Sequence, residues 1–186
     1  MNPLIKQLKK YGNLTSEIET ELNEKIKSLI KQKGDFLLKE GQIVSNLFVI
    51  EKGLVRSFYN INEREINVRF GFESGILGSV MPLFFSQPSI ENIQFLEDTT
   101  LYYISSNDLE SFYKSSQEMN TIGRKMAEEY CKILEERSFL LQTHTAEQRY
   151  HWLLKNQPEA LQRISLGHIA SYLGISQETL SRIRKK

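Results

Sequence analysis

The sequence predicts an α+β protein in three parts: a β-rich N-terminal body, a long helix and a small helical C-terminal domain. Three observations carry this expectation. Six of the ten glycines fall between Gly34 and Gly78, between short β-rich runs. Apolar residues then recur seven apart through the stretch from Asn107 to Gln142. Finally, Gly174 separates two short apolar periods near the end of the chain. The boundaries expected are 1–106, 107–142 and 143–186.

Length and composition set the frame. A chain of 186 residues fits one domain or two small ones with a proper core. With 40% apolar and 25% charged residues it reads as an ordinary globular protein. One cysteine, Cys131, excludes an intrachain disulfide and a cysteine-held cluster; its expected role is packing. No apolar run approaches the roughly 20 residues that span a bilayer. The start, Met1 to Lys6, leads into charged residues and not a signal core, so a cytoplasmic location and no membrane partner are expected. The net charge of +1 is uninformative, but the last five residues, Arg182 to Lys186, hold four cations and no acid.

Residues 15–31 read as a helix. Ser16 and Glu19 have capping-box spacing, and Ile18, Leu22, Ile26, Leu29 and Ile30 recur at helical intervals. Strands are expected at Phe36–Leu38, Leu47–Ile50, Leu54–Tyr59 and Ile66–Phe70, then at Asn92–Leu96 and Thr99–Ile104. With a glycine turn roughly every ten residues, they suggest a small sandwich or barrel. Between the two sets, Val80 to Phe85 fits one helical turn after Gly78, before Pro88 forces extension. The free N–H groups of such a turn could cradle an anion. Alternatively, Met81, Leu83, Phe84 and Phe85 could plug the β-rich body.

On the long helix, Met119, Met126, Ile133 and Leu140 stand seven apart, with Ala127, Leu134 and Leu141 in a parallel row. A stripe held this long means pairing with another helix or a very wide core face; a parallel homodimer seam is expected, with Met119, Ile122, Met126, Tyr130, Ile133, Arg137 and Leu140 as its interface. Gly123 and Arg137 interrupt the seam. A further helix is expected over Thr145–Lys155, ending before Pro158.

Residues 165–184 have the signature of a DNA-binding helix-turn-helix. Ile169, Ala170 and Leu173 form the inner face of a first helix, and small Ala170 permits a close crossing. Gly174 supplies the left-handed turn, Ile175 plugs the gap and Ser176 caps the second helix. On that helix Gln177, Glu178, Ser181 and Arg182 face outward. Glu178 can accept from a cytosine amino group, Arg182 can fork onto guanine, and Ser181 can contact base or phosphate. Arg184, Lys185 and Lys186 would neutralise phosphates. The expected DNA-binding set is thus Ser176, Gln177, Glu178, Thr179, Ser181, Arg182, Arg184, Lys185 and Lys186, with double-stranded DNA as the partner.

At these residues the sequence resembles the Crp/Fnr family of bacterial transcription regulators, and in particular its short Bacteroidetes-type members ending in Leu-Ser-Arg-Ile-Arg, here Leu180 to Arg184. The resemblance includes Gly41, Gly53, the Gly78 turn, Gln87 to Ile90, the long helix, Thr145 to Tyr150, and Ile169-Ala170 through Arg182. It implies an N-terminal double-stranded β-helix (jelly-roll) barrel of the cyclic-nucleotide-binding kind, a dimerisation helix and a DNA-reading domain acting on an inverted repeat. RNA polymerase and an unidentified small effector are further partners it implies. The triplet Glu178, Ser181 and Arg182 looks most like the Fnr branch, which implies a TTGA-type half-site.

The departures from the family are also informative. The candidate ligand pocket is Gly78, Ser79, Val80, Ser89, Ile90, Leu134 and Glu135. Where the family's cyclic-AMP binders carry Gly-Glu, this chain has Gly78-Ser79. Where they carry Arg followed by Ser or Thr, it has Ser89-Ile90. The pair that meets adenine corresponds to Leu134-Glu135. An anionic cyclic nucleotide is disfavoured in such a pocket, since a buried phosphate needs a cation or several donors. No cofactor and no metal are expected: Cys131 cannot supply a cluster, and His144, His151 and His168 lie outside the β-rich body. The missing histidines in residues 34–104 also argue against a cupin-like enzyme. No nucleophile–His–acid grouping or phosphate-binding loop stands out, so no catalytic residues are expected. The short segment from Gln157 to Ile164 leaves little room for a wing, so a minimal, strongly salt-dependent DNA domain is expected. A ligand-independent DNA binder with Phe84 and Phe85 filling the barrel is the alternative.

Overall fold

A computed structural model describes residues 1–185. The chain divides into two compact units. The first is Met1–Ser57 with Phe70–Glu129; the second is Phe58–Arg69 with the chain from Tyr130 onward.

The first unit begins with α1 (Pro3–Leu8), which starts on a proline and is capped by Asn2, whose Oδ1 accepts from the Leu4 N–H at 2.9 Å. Helix α2 (Ser16–Lys25) follows. The strands are β1 (Lys27–Lys31), β2 (Phe36–Leu38), β3 (Asn46–Lys52), β4 (Val55–Ile61), β5 (Arg64–Gly71), β6 (Ile76–Leu77), β7 (Asn92–Phe95) and β8 (Thr99–Ser105), with α3 (Val80–Phe85) between β6 and β7. They form two antiparallel sheets, ordered β1-β8-β3-β6 and β2-β7-β4-β5. The jelly-roll body is therefore a two-sheet sandwich and not a closed barrel, because each sheet keeps two free edges.

Strand β3 shows why its sequence is continuously apolar. Phe48 and Ile50 face the other sheet, meeting Leu38, Val55, Ile93 and Phe95. Leu47 and Val49 face the opposite way, into a second core with Leu4, Leu8, Leu22, Leu109 and Phe112 of the covering helices. Both faces of the strand are buried, so its sequence loses the alternation of a half-exposed strand. Helix α4 (Ser106–Ser115) and helix α5 (Gln117–Thr143) complete the covering layer.

Several expectations require correction. The helix read over 15–31 stops at Lys25, and Ile26 already has an extended backbone. Ile30 and Leu29 sit in β1, paired with Thr100 and Leu101 of β8. Short β-branched apolar runs satisfy either period, and here the sheet pairing decides. The cap of α2 is Thr15, not Ser16. The stretch 107–142 is two helices. Ser116, with φ −133° and ψ 123°, ends α4, and its hydroxyl accepts from the Met119 N–H at 3.1 Å to start α5.

The expected dimer seam is likewise redistributed. Met119 and Ile122 are fully buried in the chain's own core, and Met126 packs against it. Tyr130 lies beneath the Arg69 guanidinium, 5.8 Å from the ring centroid. Arg137 bonds to carbonyls of its own chain, and Leu140 lines a small cavity beside it. Only Ile133 of the set is well exposed. The first half of α5 thus spends its apolar face on its own core. The exposed apolar residues of the second half are Ile133, Leu134, Phe139 and Leu141. Cys131 is exposed, not packed.

The second unit holds the tip of the β4–β5 hairpin, which turns through Asn62 and Glu63, both with positive φ as in a tight two-residue hairpin. It also contains the later part of α5, then α6 (Ala146–Asn156), α7 (Ala160–Arg163), α8 (Leu166–Leu173) and α9 (Gln177–Arg184).

Gly53, between β3 and β4, offers a test of the first unit. Its φ is +112°, and a Cβ there would stand 2.8 Å from the Thr99 Cα. Gly53→Ala is expected to lower stability by about 2–4 kcal/mol, adding backbone strain to steric overlap. Chemical denaturation followed by circular dichroism checks this; a loss near zero would show that the turn is not fixed as described.

Candidate nucleic-acid interface

The C-terminal helices are built by caps and a compact core. Thr145 caps α6 in a reciprocal box with Gln148: Thr145 Oγ1 accepts from the Gln148 N–H, and Gln148 Oε1 accepts from the Thr145 N–H. Ser165 caps α8, and Ser176 caps α9 by accepting from the Thr179 N–H at 3.2 Å. Between them Gly174 takes φ 66° and ψ 37°, the left-handed turn expected from the sequence. Ile169, Ala170, Leu173 and Leu180 are buried, so the inner faces of α8 and α9 meet across small Ala170. The segment is therefore a helix-turn-helix with the predicted turn and caps.

Helix α9 turns Gln177, Glu178, Ser181 and Arg182 to solvent, while Leu180 is fully buried. Arg184 and Lys185 extend the exposed basic end; Lys186, also expected to contact phosphate, lies outside the described residues. Thr179 is half-buried, and its Oγ1 accepts from Arg182 Nη2 at 3.2 Å. The sequence reading missed that bond, although the three-residue spacing on one helix face could have suggested it. Glu178 is held below the ordinary carboxylate range, first by its own backbone N–H, then by the Ser176 hydroxyl and by Arg182. The end of the helix thus presents one fixed carboxylate and one guanidinium a turn apart, an acceptor and a donor fork of the kind that match base edges.

The cradle expected to hold a ligand lies in the first unit. Ser79 and Ser89, ten residues apart, are both buried, with their hydroxyl oxygens 3.1 Å apart. Ser89 donates to the Glu91 carbonyl at 2.8 Å and accepts from the Glu91 N–H at 3.1 Å. Its one proton being so used, Ser79 must donate to it. Gly78 precedes this pair, and Val80 opens α3. Ile90 points outward and is exposed. Phe84 and Phe85 are about three-fifths exposed, so they do not fill the sandwich. Leu83 of the same helix packs on the core instead. Leu134 and Glu135 are exposed on α5, in the second unit. Buried Arg56 on β4, bonded through Nε and Nη2 to Gln94 Oε1, is a cation that the reading of the cradle overlooked.

Among the described residues, no group of three His, Cys, Asp or Glu side chains is placed to hold a metal, and no helix is long and apolar enough to cross a membrane.

Residues 31–116 match the cyclic nucleotide-binding domain. No curated protein matches the sequence. Among solved structures, FixK2 from Bradyrhizobium japonicum is similar at 19% identity and a TM-score of 0.74, covering 86% of this chain and 83% of its own. The c-di-GMP-responsive global regulator CLP from Xanthomonas campestris is similar at 16% identity and a TM-score of 0.68, covering 92% and 90%. A protein from Eubacterium rectale assigned to the Crp/Fnr family of transcriptional regulators is similar at 16% identity and a TM-score of 0.68, covering 92% and 82%. The likeness to these proteins is one of fold, and residues 31–116 within it match the cyclic nucleotide-binding domain.

Proposed function

We propose that this chain is a sequence-specific DNA-binding regulator of transcription, acting as a homodimer on an inverted repeat, and not an enzyme. The observation that carries this reading is the face of α9 on which Glu178, Ser181 and Arg182 are exposed while Leu180 anchors the helix from behind. Helices of this kind enter the major groove with their N-terminal residues on the bases. Arg184 and Lys185 then supply phosphate contacts, and affinity falls steeply with salt. RNA polymerase is the further partner such a regulator acts on, and the cytoplasm is its place of work.

Dimerisation is assigned to the exposed row of α5. Ala127, Leu134 and Leu141 stand seven apart on it, with Ile133 beside them. The pair is read as parallel, and its two copies of α9 would then meet successive major grooves about 34 Å apart. The cradle supports a regulator that does not take cyclic AMP. Ser79 and Ser89 satisfy one another and the Glu91 backbone, and no arginine stands at position 89 to meet a phosphate. A phosphate seated on the two serines would first have to break the hydrogen bonds that already satisfy them.

Four measurements test these statements. Selection of bound duplexes from a random pool should return an inverted repeat with TTGA-type halves. On that site Arg182→Ala should cost roughly 1–3 kcal/mol and relax the preference at one guanine; equal affinity and selectivity would remove α9 as the reader. Leu134→Glu should convert a dimer to a monomer in sedimentation equilibrium, by burying like charges against each other across the seam; an unchanged dimer would place the interface elsewhere. Titration calorimetry with cyclic AMP should show no heat of binding, and micromolar affinity would overturn the account of the cradle.

A further inference from the structure

We propose that the tip of the β4–β5 hairpin positions the reading helix, acting through Ser171 and Arg137. The inference rests on the DNA-reading role of α9 and adds residues that touch no base.

Strand β5 lies at the edge of its sheet. An edge strand presents unpaired N–H and C=O groups that must find partners. At residues 65–67 those partners come from helices. The Asn67 N–H donates to Ser171 Oγ at 2.9 Å, and the Ser171 hydroxyl donates to the Glu65 carbonyl at 2.9 Å. The Asn67 carbonyl accepts from Arg137 Nη2 at 3.3 Å. One serine side chain therefore acts as both donor and acceptor to the strand, as the backbone of a neighbouring strand would.

Edge covering alone would require only some polar group at this point. What the structure shows is more directed. Arg137 Nη2 also donates to the Tyr172 carbonyl at 2.9 Å, and its guanidinium lies 4.0 Å from the centre of the Tyr172 ring. Arg149 Nε donates to the Leu173 carbonyl at 2.8 Å, and its Nη1 to the His144 carbonyl at 2.6 Å. Ser171, Tyr172 and Leu173 are the last turn of α8, and each is tied to another element. Gly174 follows, then α9. The direction of the reading helix is set at this turn, and the turn is tied to the hairpin. Burial pulls the Arg137 guanidinium below its ordinary value; Tyr172 opposes this shift and Arg149 adds to it.

The test compares wild type, Ser171→Ala, Ser171→Thr and Arg137→Gln as full chains. Two readouts are used: hydrogen exchange of backbone amides, and affinity for the duplex selected with wild type. Ser171→Ala and Arg137→Gln should each weaken that affinity about threefold to tenfold, the loss expected from one or two hydrogen bonds. The slope of affinity against salt should not change, because the phosphate contacts are untouched. Exchange should quicken at Asn67 and through α9. Ser171→Thr, which keeps the hydroxyl, should restore both. Faster exchange at Asn67 with unchanged exchange in α9 and unchanged affinity would overturn the proposal, leaving the bonds as edge cover only. Tighter binding by either loss variant would overturn it as well. If wild type selects no duplex at all, the DNA-reading role fails; exchange in α9 then decides the positioning alone, by the same criterion.

Discussion

Two guanidinium groups hold the C-terminal ends of two helices, and the setting of α9 depends on them. Arg149 bonds the carbonyl of His144, just past the end of α5, and that of Leu173, the last residue of α8. Arg137 bonds the carbonyl of Tyr172 one residue earlier. A helix leaves its last four carbonyls without internal partners and carries a partial negative charge at that end. Cations there satisfy both needs. Among the described residues neither arginine pairs with a carboxylate, so the carbonyls are their compensation. The arrangement tolerates no easy replacement. Lysine would offer a single point of charge where a planar fork reaches several acceptors at once.

The same principle, that buried polar groups need partners, decides the character of the cradle. In a phosphate site the donors point at a missing guest. Here Ser79 points at Ser89, and Ser89 closes on the Glu91 backbone. The hydroxyls are already paired in the empty protein, so a guest would have to break their bonds before forming its own. Elsewhere, on β7, Asn92 Oδ1 accepts from the Glu40 N–H, and its buried Nδ2, like Gln157 Oε1, has no hydrogen-bond partner.

Much of this was legible in the sequence because the signals were local. Gly174 followed by Ser176 marks a turn and a cap two residues apart, and both stand as read. Val80–Phe85, framed by Gly78 and Pro88, is likewise the expected helical turn. The β8 run Thr99–Ile104 lies within the strand observed. Misreading began where one local pattern served two structures. Leu29 and Ile30 fit a helix and a strand equally, and only pairing with β8 settles them. The heptad on α5 recorded that the helix is apolar over a wide arc, but not which half is spent inside the chain. Arg137, read as an interruption of a seam, and Ser171, not singled out at all, could not have been read from neighbours. Ser171 meets residues more than a hundred positions away, and sequence spacing carries no trace of such a contact.

The division of labour along α5 bears on how such a protein could respond to anything. Its first half is locked into a core by Met119 and Ile122, and Tyr130 and Arg137 tie its second half to the hairpin tip. What remains exposed is the row through Ala127, Leu134 and Leu141. A partner helix on that row would therefore meet a surface whose backbone setting is already fixed from behind. Cooperation between pairing and reading then needs no large rearrangement. It needs only that the hairpin, α5 and the last turn of α8 have two settings of nearly equal energy, since a ligand or partner shifts an equilibrium by no more than its preference for one of them. Hydrogen bonds of modest net worth suit that role better than a deep apolar core, because a few of them can exchange without unfolding either side.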